Sequence, residues 1–344
     1  MGTDACLRQQ EPWFVSLAIL GALYAAAFAY RLFHISGLAF CLRRPKDLRR
    51  SYGPWAVVTG PTSGIGRSMA VELARRGLNL VLVGRDPAAL QDISKAVSET
   101  HGVLAKTVQF DFSHVSTPQG DEAMGRLREA VAGLEVGVLV NNAGVAKPGA
   151  VYLHEAHAEA WVRMVRVNLW AITEVTAAVL PGMAERGRGA VLNIGSGSTD
   201  GLPSYPLYSV YAATKQYVAQ FSRSLYVEYR SKGIDVQCQA PLYVDTKMVM
   251  SMVTWGGSVS QVIMPTPDAY ASAGASWIGH CRPVCLPNLG HRLQMCFYQF
   301  VPARILVALC FRETLQQRAL QLLTPSTRRP SHGVNGGLTP NKFN

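Results

Sequence analysis

The chain has 344 residues, 49% of them hydrophobic and 16% charged, which suits a packed core and excludes wholesale disorder. The net charge of +11 calls for an anionic surface, yet no nucleic-acid motif or aromatic-basic stripe accompanies it, so no nucleic-acid partner is expected. The seven cysteines are odd in number and scattered, without a second Cys or His pair at zinc spacing; they read as reduced thiols, and no metal site is expected.

After an N-terminal segment, residues 1–11, comes an uncharged run at 12–30, PWFVSLAILGALYAAAFAY. A helix of that length rises roughly 28 Å, close to the thickness of a bilayer core. Trp13 and Tyr30 stand near its ends, where interfacial aromatics belong. Asp4 and Glu11 precede it and no basic leader does, which argues against a cleaved signal peptide. Residues 12–33 are therefore expected to form a single transmembrane anchor, and 34–53 a basic juxtamembrane linker. Arg31, Arg43, Arg44, Lys46, Arg49 and Arg50 follow the run and only Arg8 precedes it, so the rest of the chain is expected in the cytosol.

From residue 54 to about 250, apolar strands alternate with helices. Strands are expected at 56–60, 79–85, 105–112, 136–144, 189–197 and 234–241, and helices at 65–77, 87–102 and around 210–220. That order implies an α/β fold, a doubly wound parallel sheet of Rossmann type. Beyond 244 the signal weakens. Residues 251–324 are expected to form a substrate lid and C-terminal helices, with a capped helix over 266–279 and a helical pattern at 312–323. Residues 293–311 are mostly apolar, broken by Pro302 and Arg304; a helix packed on the domain is favoured there over a second membrane contact. Residues 325–344 read as a disordered tail.

Chemistry enters at the loop after the first strand, TGPTSGIGR. Gly60, Gly64 and Gly66 permit a tight turn and close approach to a pyrophosphate, with Thr62, Ser63, Ile65 and Arg67 completing the candidate cradle. The following helix would point its positive N-terminus at the phosphates. The second strand ends in Gly84-Arg85, where an acid would hold the 2′-hydroxyl of NAD. Arg85, assisted by Arg67, suits a 2′-phosphate, so NADP(H) is the expected cofactor. Asp86 follows directly, and Pro87 makes it a candidate helix cap.

The glycine loop, NNAG at 141–144, a serine-bearing strand end at 194–198 and YAATK at 211–215 occur in order. Together they resemble the short-chain dehydrogenase/reductase family over roughly 54–250. The resemblance implies that Tyr211 donates a proton to a carbonyl oxygen. Lys215, one turn away on the same helix face, would lower the phenol's pKa of about 10 and bind the cofactor ribose. It implies a substrate-binding serine, matched by Ser196, with Ser198 as the alternative. It further implies a proton-relay role for Asn168, a cofactor-loop role for Asn142, an adenine contact for Asp111 and a nicotinamide contact for Thr246.

More narrowly, the anchor, GPTSGIGR, PLYSVYAATK and CQAPLYVDTKM resemble the very-long-chain 3-oxoacyl-CoA reductase branch, which is related to membrane-bound 17β-hydroxysteroid dehydrogenases. This implies an acyl-CoA lipid substrate, the endoplasmic reticulum membrane, other elongase subunits as partners and a homo-oligomer. A steroid or other lipid ketone is the alternative substrate, and a non-catalytic scaffold the alternative role. Asp245 and the apolar segment 249–264 depart from the branch.

Overall fold

The structure, a computed structural model, describes residues 12–41, 44–199, 201–250, 263–280 and 283–323, with the side chains of the first helix described over 13–30. Arg8, Arg43, the side chains of Arg31 and Cys41, Cys6, Cys281, most of the expected lid and the tail lie outside the described residues.

Helix α1 (Pro12–Cys41) runs past the expected end of the anchor at 33 and into the expected linker, because no proline or charge cluster interrupts the sequence before RRPK at 43–46. None of Trp13–Tyr30 is buried, as befits a helix whose partner is lipid. The short α2 (Leu48–Tyr52), capped by Asp47, leads into the sheet. There the order is β1 (Trp55–Thr59), α3 (Gly64–Arg75), β2 (Asn79–Gly84), α4 (Pro87–His101), β3 (Ala105–Gln109), α5 (Pro118–Val131) and β4 (Val136–Asn141). Then come α6 (Ala158–Val165), a π-turn (Arg166–Trp170), α7 (Ala171–Glu185), β5 (Gly189–Ile194), α8 (Ser209–Arg230) and β6 (Ile234–Gln239). The last elements are α9 (Lys247–Met250), α10 (Pro267–Trp277), β7 (Val284–Cys285), α11 (Leu289–Tyr298) and α12 (Ala303–Leu323).

All seven strands are parallel, in the order β3-β2-β1-β4-β5-β6-β7. The central strands β1, β4 and β5 are buried throughout, which is why their sequences read as unbroken apolar runs. One face packs on α3, α4 and α10 through Met69, Leu73, Leu90 and Ala271; the other packs on α5, α7 and α8 through Met124, Leu127, Val179 and Leu225. Sequence order reverses between β1 and β4, which opens a crevice at their carboxyl ends.

The sheet does not stop at 250. Strand β7 pairs with β6, and α10 buries Tyr270 and Ala271. With only two residues, β7 lacks the periodicity that would reveal it in the sequence. In 293–311 the chain is helical on both sides of Pro302, which opens α12 at the position where its missing N–H costs nothing.

Candidate active site

The glycine loop lies at the carboxyl end of β1, beside the switch point. Gly60 and Gly64 have φ of +64° and +53°, a left-handed conformation that side chains resist. Gly66 is fixed by close approach: a Cβ there would stand 2.1 Å from the Gly60 carbonyl and 2.2 Å from Nδ2 of Asn142. Asn142 donates that amide to the Thr59 and Gly60 carbonyls, both at 3.1 Å. The Thr59 hydroxyl in turn accepts from the backbone N–H of Asn142 and Ala143 at 3.0 and 3.1 Å. Asn142 is thus a brace between the ends of β1 and β4. Thr59, missed in the sequence, is its counterpart; its place as the last residue of the first strand was the available signal.

Ser63 occupies the N-cap of α3 but makes no side-chain cap, unlike Asp86, Thr117, Thr266 and Asn288 at α4, α5, α10 and α11. The first-turn N–H groups of α3 therefore keep their donors for a ligand, and a pyrophosphate supplies the matching charge. Thr246 covers the loop from the opposite side, its Cγ2 3.1 Å from where a Gly64 Cβ would be. Its hydroxyl accepts from the Val249 N–H, starting α9. A dinucleotide fits this cradle.

At the end of β2, Arg85 is exposed and its carbonyl accepts from Gln109. Asp86 caps α4, accepting from Ala88 and Ala89 at 3.1 and 3.2 Å, so its carboxylate serves the helix. Asp111 accepts from the N–H and hydroxyl of Ser113. Burial pushes its carboxyl up, but those bonds and the charges of His114 and Arg85 outweigh burial and hold it below the ordinary value. Thr62, Ile65 and Arg67 line the loop, Arg67 exposed.

The reaction end is built by β5 and α8. Lys215 is buried, and its ammonium donates to the Ile194 carbonyl at 2.9 Å. Gly144 of NNAG lies beside both: a Cβ there would stand 3.5 Å from Lys215 Nζ and from Asn168 Oδ1. Asn168 sits in the π-turn, fully buried. It accepts from the Val145 N–H and donates to the Val145 carbonyl, each at 2.8 Å, and donates to Thr214 at 3.2 Å. Tyr211 is partly buried, with Ser196 within hydrogen-bonding reach of its phenol. The Ser198 hydroxyl donates to Ser196 Oγ at 2.9 Å, so Ser198 stands behind Ser196.

One expectation needs correction. Lys215 does not lower the Tyr211 pKa here. Burial raises the phenol above its usual value, opposed only by Ser196, and burial lowers Lys215 to about 8. Desolvation dominates at both groups, opposed at Tyr211 by the Ser196 hydrogen bond and at Lys215 by Cys238.

The far wall came from a part of the sequence given no chemistry. Tyr205 and Tyr208 stack at 4.8 Å, and Tyr208 meets Tyr211 edge-on at 6.3 Å. Leu207 between them has φ of +61°, a strained conformation for a branched residue. From α12, Glu313 accepts from the Tyr243 hydroxyl at 3.1 Å, Gln317 from Tyr208 at 3.1 Å and Gln321 from the Ala150 N–H at 3.2 Å. Their spacing of four, which sets them on one face of the helix, was the signal. Asp245 is exposed.

Together, a glycine cradle at the switch point and a Ser–Tyr–Lys–Asn cluster one strand away define a dinucleotide-dependent oxidoreductase of Rossmann type. A family profile described as short chain dehydrogenase matches residues 54–256. The chain belongs to the short-chain dehydrogenase/reductase family.

Its relatives include a very-long-chain 3-oxoacyl-CoA reductase-like protein of Arabidopsis thaliana, 40% identical over 92% of this chain and 99% of the relative. A very-long-chain 3-oxoacyl-CoA reductase of Anas platyrhynchos is 35% identical over 89% of this chain and 94% of its own length. An inactive hydroxysteroid dehydrogenase-like protein 1 of Homo sapiens is 34% identical over 86% and 88%. Among solved structures, a Sphingobium yanoikuyae short-chain dehydrogenase in complex with NADPH has a TM-score of 0.59 and 27% identity, covering 82% of this chain and 99% of that one.

Proposed function

We propose that the protein is an NADPH-dependent reductase of very-long-chain 3-oxoacyl-CoA, forming the 3-hydroxyacyl-CoA at a membrane. The observation that carries this reading is the likeness to the Arabidopsis relative over nearly both whole chains, joined to the intact cluster of Ser196, Tyr211, Lys215 and Asn168. NADPH, when bound, supplies the hydride. The residues that would hold it are Gly60, Thr62, Ser63, Gly64, Ile65, Gly66 and Arg67 at the phosphates, Arg85 and Asp111 at the adenosine end, and Thr246, Tyr211 and Lys215 at the nicotinamide end.

Tyr211 starts as a neutral phenol with a proton to give. Ser196 donates a hydrogen bond to the substrate oxygen as charge develops there. Lys215, held by the Ile194 carbonyl, then faces the phenolate left on Tyr211. Asn168, anchored on Val145, keeps the path from Lys215 ordered.

We place the protein in the endoplasmic reticulum membrane, anchored once by α1, with its catalytic domain in the cytosol. Association with other elongase subunits or with a second copy belongs to the same reading and is tested by crosslinking in microsomes. The Homo sapiens relative's name keeps two alternatives in view, a steroid ketone as substrate and a non-catalytic scaffold. The deciding assay follows NADPH oxidation by the full chain in microsomes, offered a long-chain 3-oxoacyl-CoA or a steroid ketone. Turnover of the acyl-CoA, lost by roughly 10²–10⁴-fold in Tyr211→Phe with NADPH binding kept, supports the proposal. Turnover of the steroid alone, or wild type no faster than Tyr211→Phe, overturns it.

A further inference from the structure

We propose that α11 and α12 form a second contact with the bilayer, lying in its interface beside α1. The proposal rests on α1 as the membrane span. Phe300, between the two helices, packs edge-on against Tyr24 and Phe28 of α1, with ring centroids 5.4 and 4.8 Å apart. Phe28 and Tyr24 are two and six residues short of the span's end at Tyr30, about 3 and 9 Å along the helix axis. Phe300 is thereby just beneath the headgroups, at the edge of the hydrocarbon, and α11 and α12 leave it on either side.

Their outer faces fit that depth. Phe297 on α11 is 62% exposed, and on α12 Ile305 and Leu309, one turn apart, are 51% and 55% exposed. Arg304 and Arg312 are exposed on the same helix. No exposed residue of α12 is acidic, and its one carboxylate, Glu313, turns inward to Tyr243. An apolar face fringed by arginine, with no acid, is complementary to an anionic lipid interface. The inner face of α12 carries the Gln317 that binds Tyr208, so the helix that touches lipid also walls the reaction site. A lipid-borne alkyl chain then reaches that wall without crossing water.

The test uses the full chain in vesicles of phosphatidylcholine and phosphatidylserine. A fluorescent, environment-sensitive amino acid replaces Phe297, Leu309, Leu20 in α1, or Leu104, which lies before the opposite edge strand β3 and is 66% exposed. Brominated lipids should quench the probe at 297 and 309 as they do at 20, and leave 104 unquenched. Arg304→Glu with Arg312→Glu should weaken quenching at 309 several-fold. Quenching at 20 with none at 297 and 309 overturns the proposal and leaves α1 as the span. A blue-shifted but unquenched probe at 309 means that protein covers the face, a second copy for example, and also overturns it. Quenching at no position overturns both the proposal and the reading of α1.

Discussion

The Tyr208 hydroxyl donates to Oε1 of Gln317 at 3.1 Å, tying the entry to the tyrosine helix to a helix 109 residues further along the chain. Burial lifts the Tyr208 phenol to about 12, so it stays a donor at any working pH. Its ring meets Tyr211 edge-on, so Gln317 positions the wall beside the proposed proton donor. Gln317→Leu leaves the buried hydroxyl without its acceptor, at a cost of about 1–3 kcal/mol. The expected outcome is a lower melting temperature and a reduced kcat, with NADPH affinity unchanged in a fluorescence titration. An equal fall in NADPH affinity would mean general loosening rather than a local role.

The glycine cradle makes a separate prediction. A Cβ at residue 66 has backbone on one side, the Gly60 carbonyl, and the Asn142 amide on the other. The carbonyl is backbone, and the Asn142 amide is held by its bonds to Thr59 and Gly60, so Gly66→Ala must open the loop. NADPH affinity is expected to fall by roughly 100-fold, the equivalent of about 3 kcal/mol. Asn142→Ala, which removes the brace but leaves the cradle's shape possible, should cost less, about 10-fold. Wild-type binding in Gly66→Ala would exclude a phosphate at this turn.

The proposed part of Arg85 in the choice between the two nicotinamide cofactors can be tested directly. It is exposed at the end of β2, and the neighbouring Asp86 is engaged by Ala88 and Ala89 at the start of α4. Arg85→Ala should weaken NADPH by roughly 10–100-fold, the range of a lost charge-assisted hydrogen bond, and leave NADH unchanged. Isothermal titration with both cofactors checks it; parallel losses would move the 2′-phosphate contact elsewhere.

Much of this was legible in the sequence because the signals are local. The six apolar strands, the glycine loop and the pair Tyr211 and Lys215 each follow from spacing within one element. Asp86 was readable as a cap from Pro87 alone. The rest depends on distant contacts. Strand β7 is too short for periodicity and exists because β6 offers an edge. The wall of Glu313, Gln317 and Gln321 acquires meaning only when α12 folds back onto Tyr243, Tyr208 and Ala150. The direction of the Tyr211 shift was misjudged for a related reason: charge pairing is visible as i, i+4 spacing, whereas desolvation is a property of the packed site.

His291 supplies a pH dependence of stability. Its ring is fully buried between two backbone groups, with Nε2 3.0 Å from the Tyr243 carbonyl and Nδ1 accepting from the Leu242 N–H at 3.4 Å. Burial lowers its pKa from 6.5 to about 4, against the pull of the Tyr243 carbonyl. Above pH 6.5 the ring is neutral both folded and unfolded, and contributes no pH dependence. As pH falls from 6.5 towards 4, the unfolded chain takes up a proton that the folded one refuses, so stability declines, by about 2–3 kcal/mol at most. His291→Gln keeps an amide donor for the carbonyl and cannot titrate. Melting curves of wild type and variant between pH 4 and 8 should therefore converge at low pH, the wild type losing its advantage in that window. Parallel curves would mean that His291 takes up its proton equally in the folded and unfolded chain, and curves that diverge towards low pH would mean that the fold holds it protonated; either outcome overturns this reading.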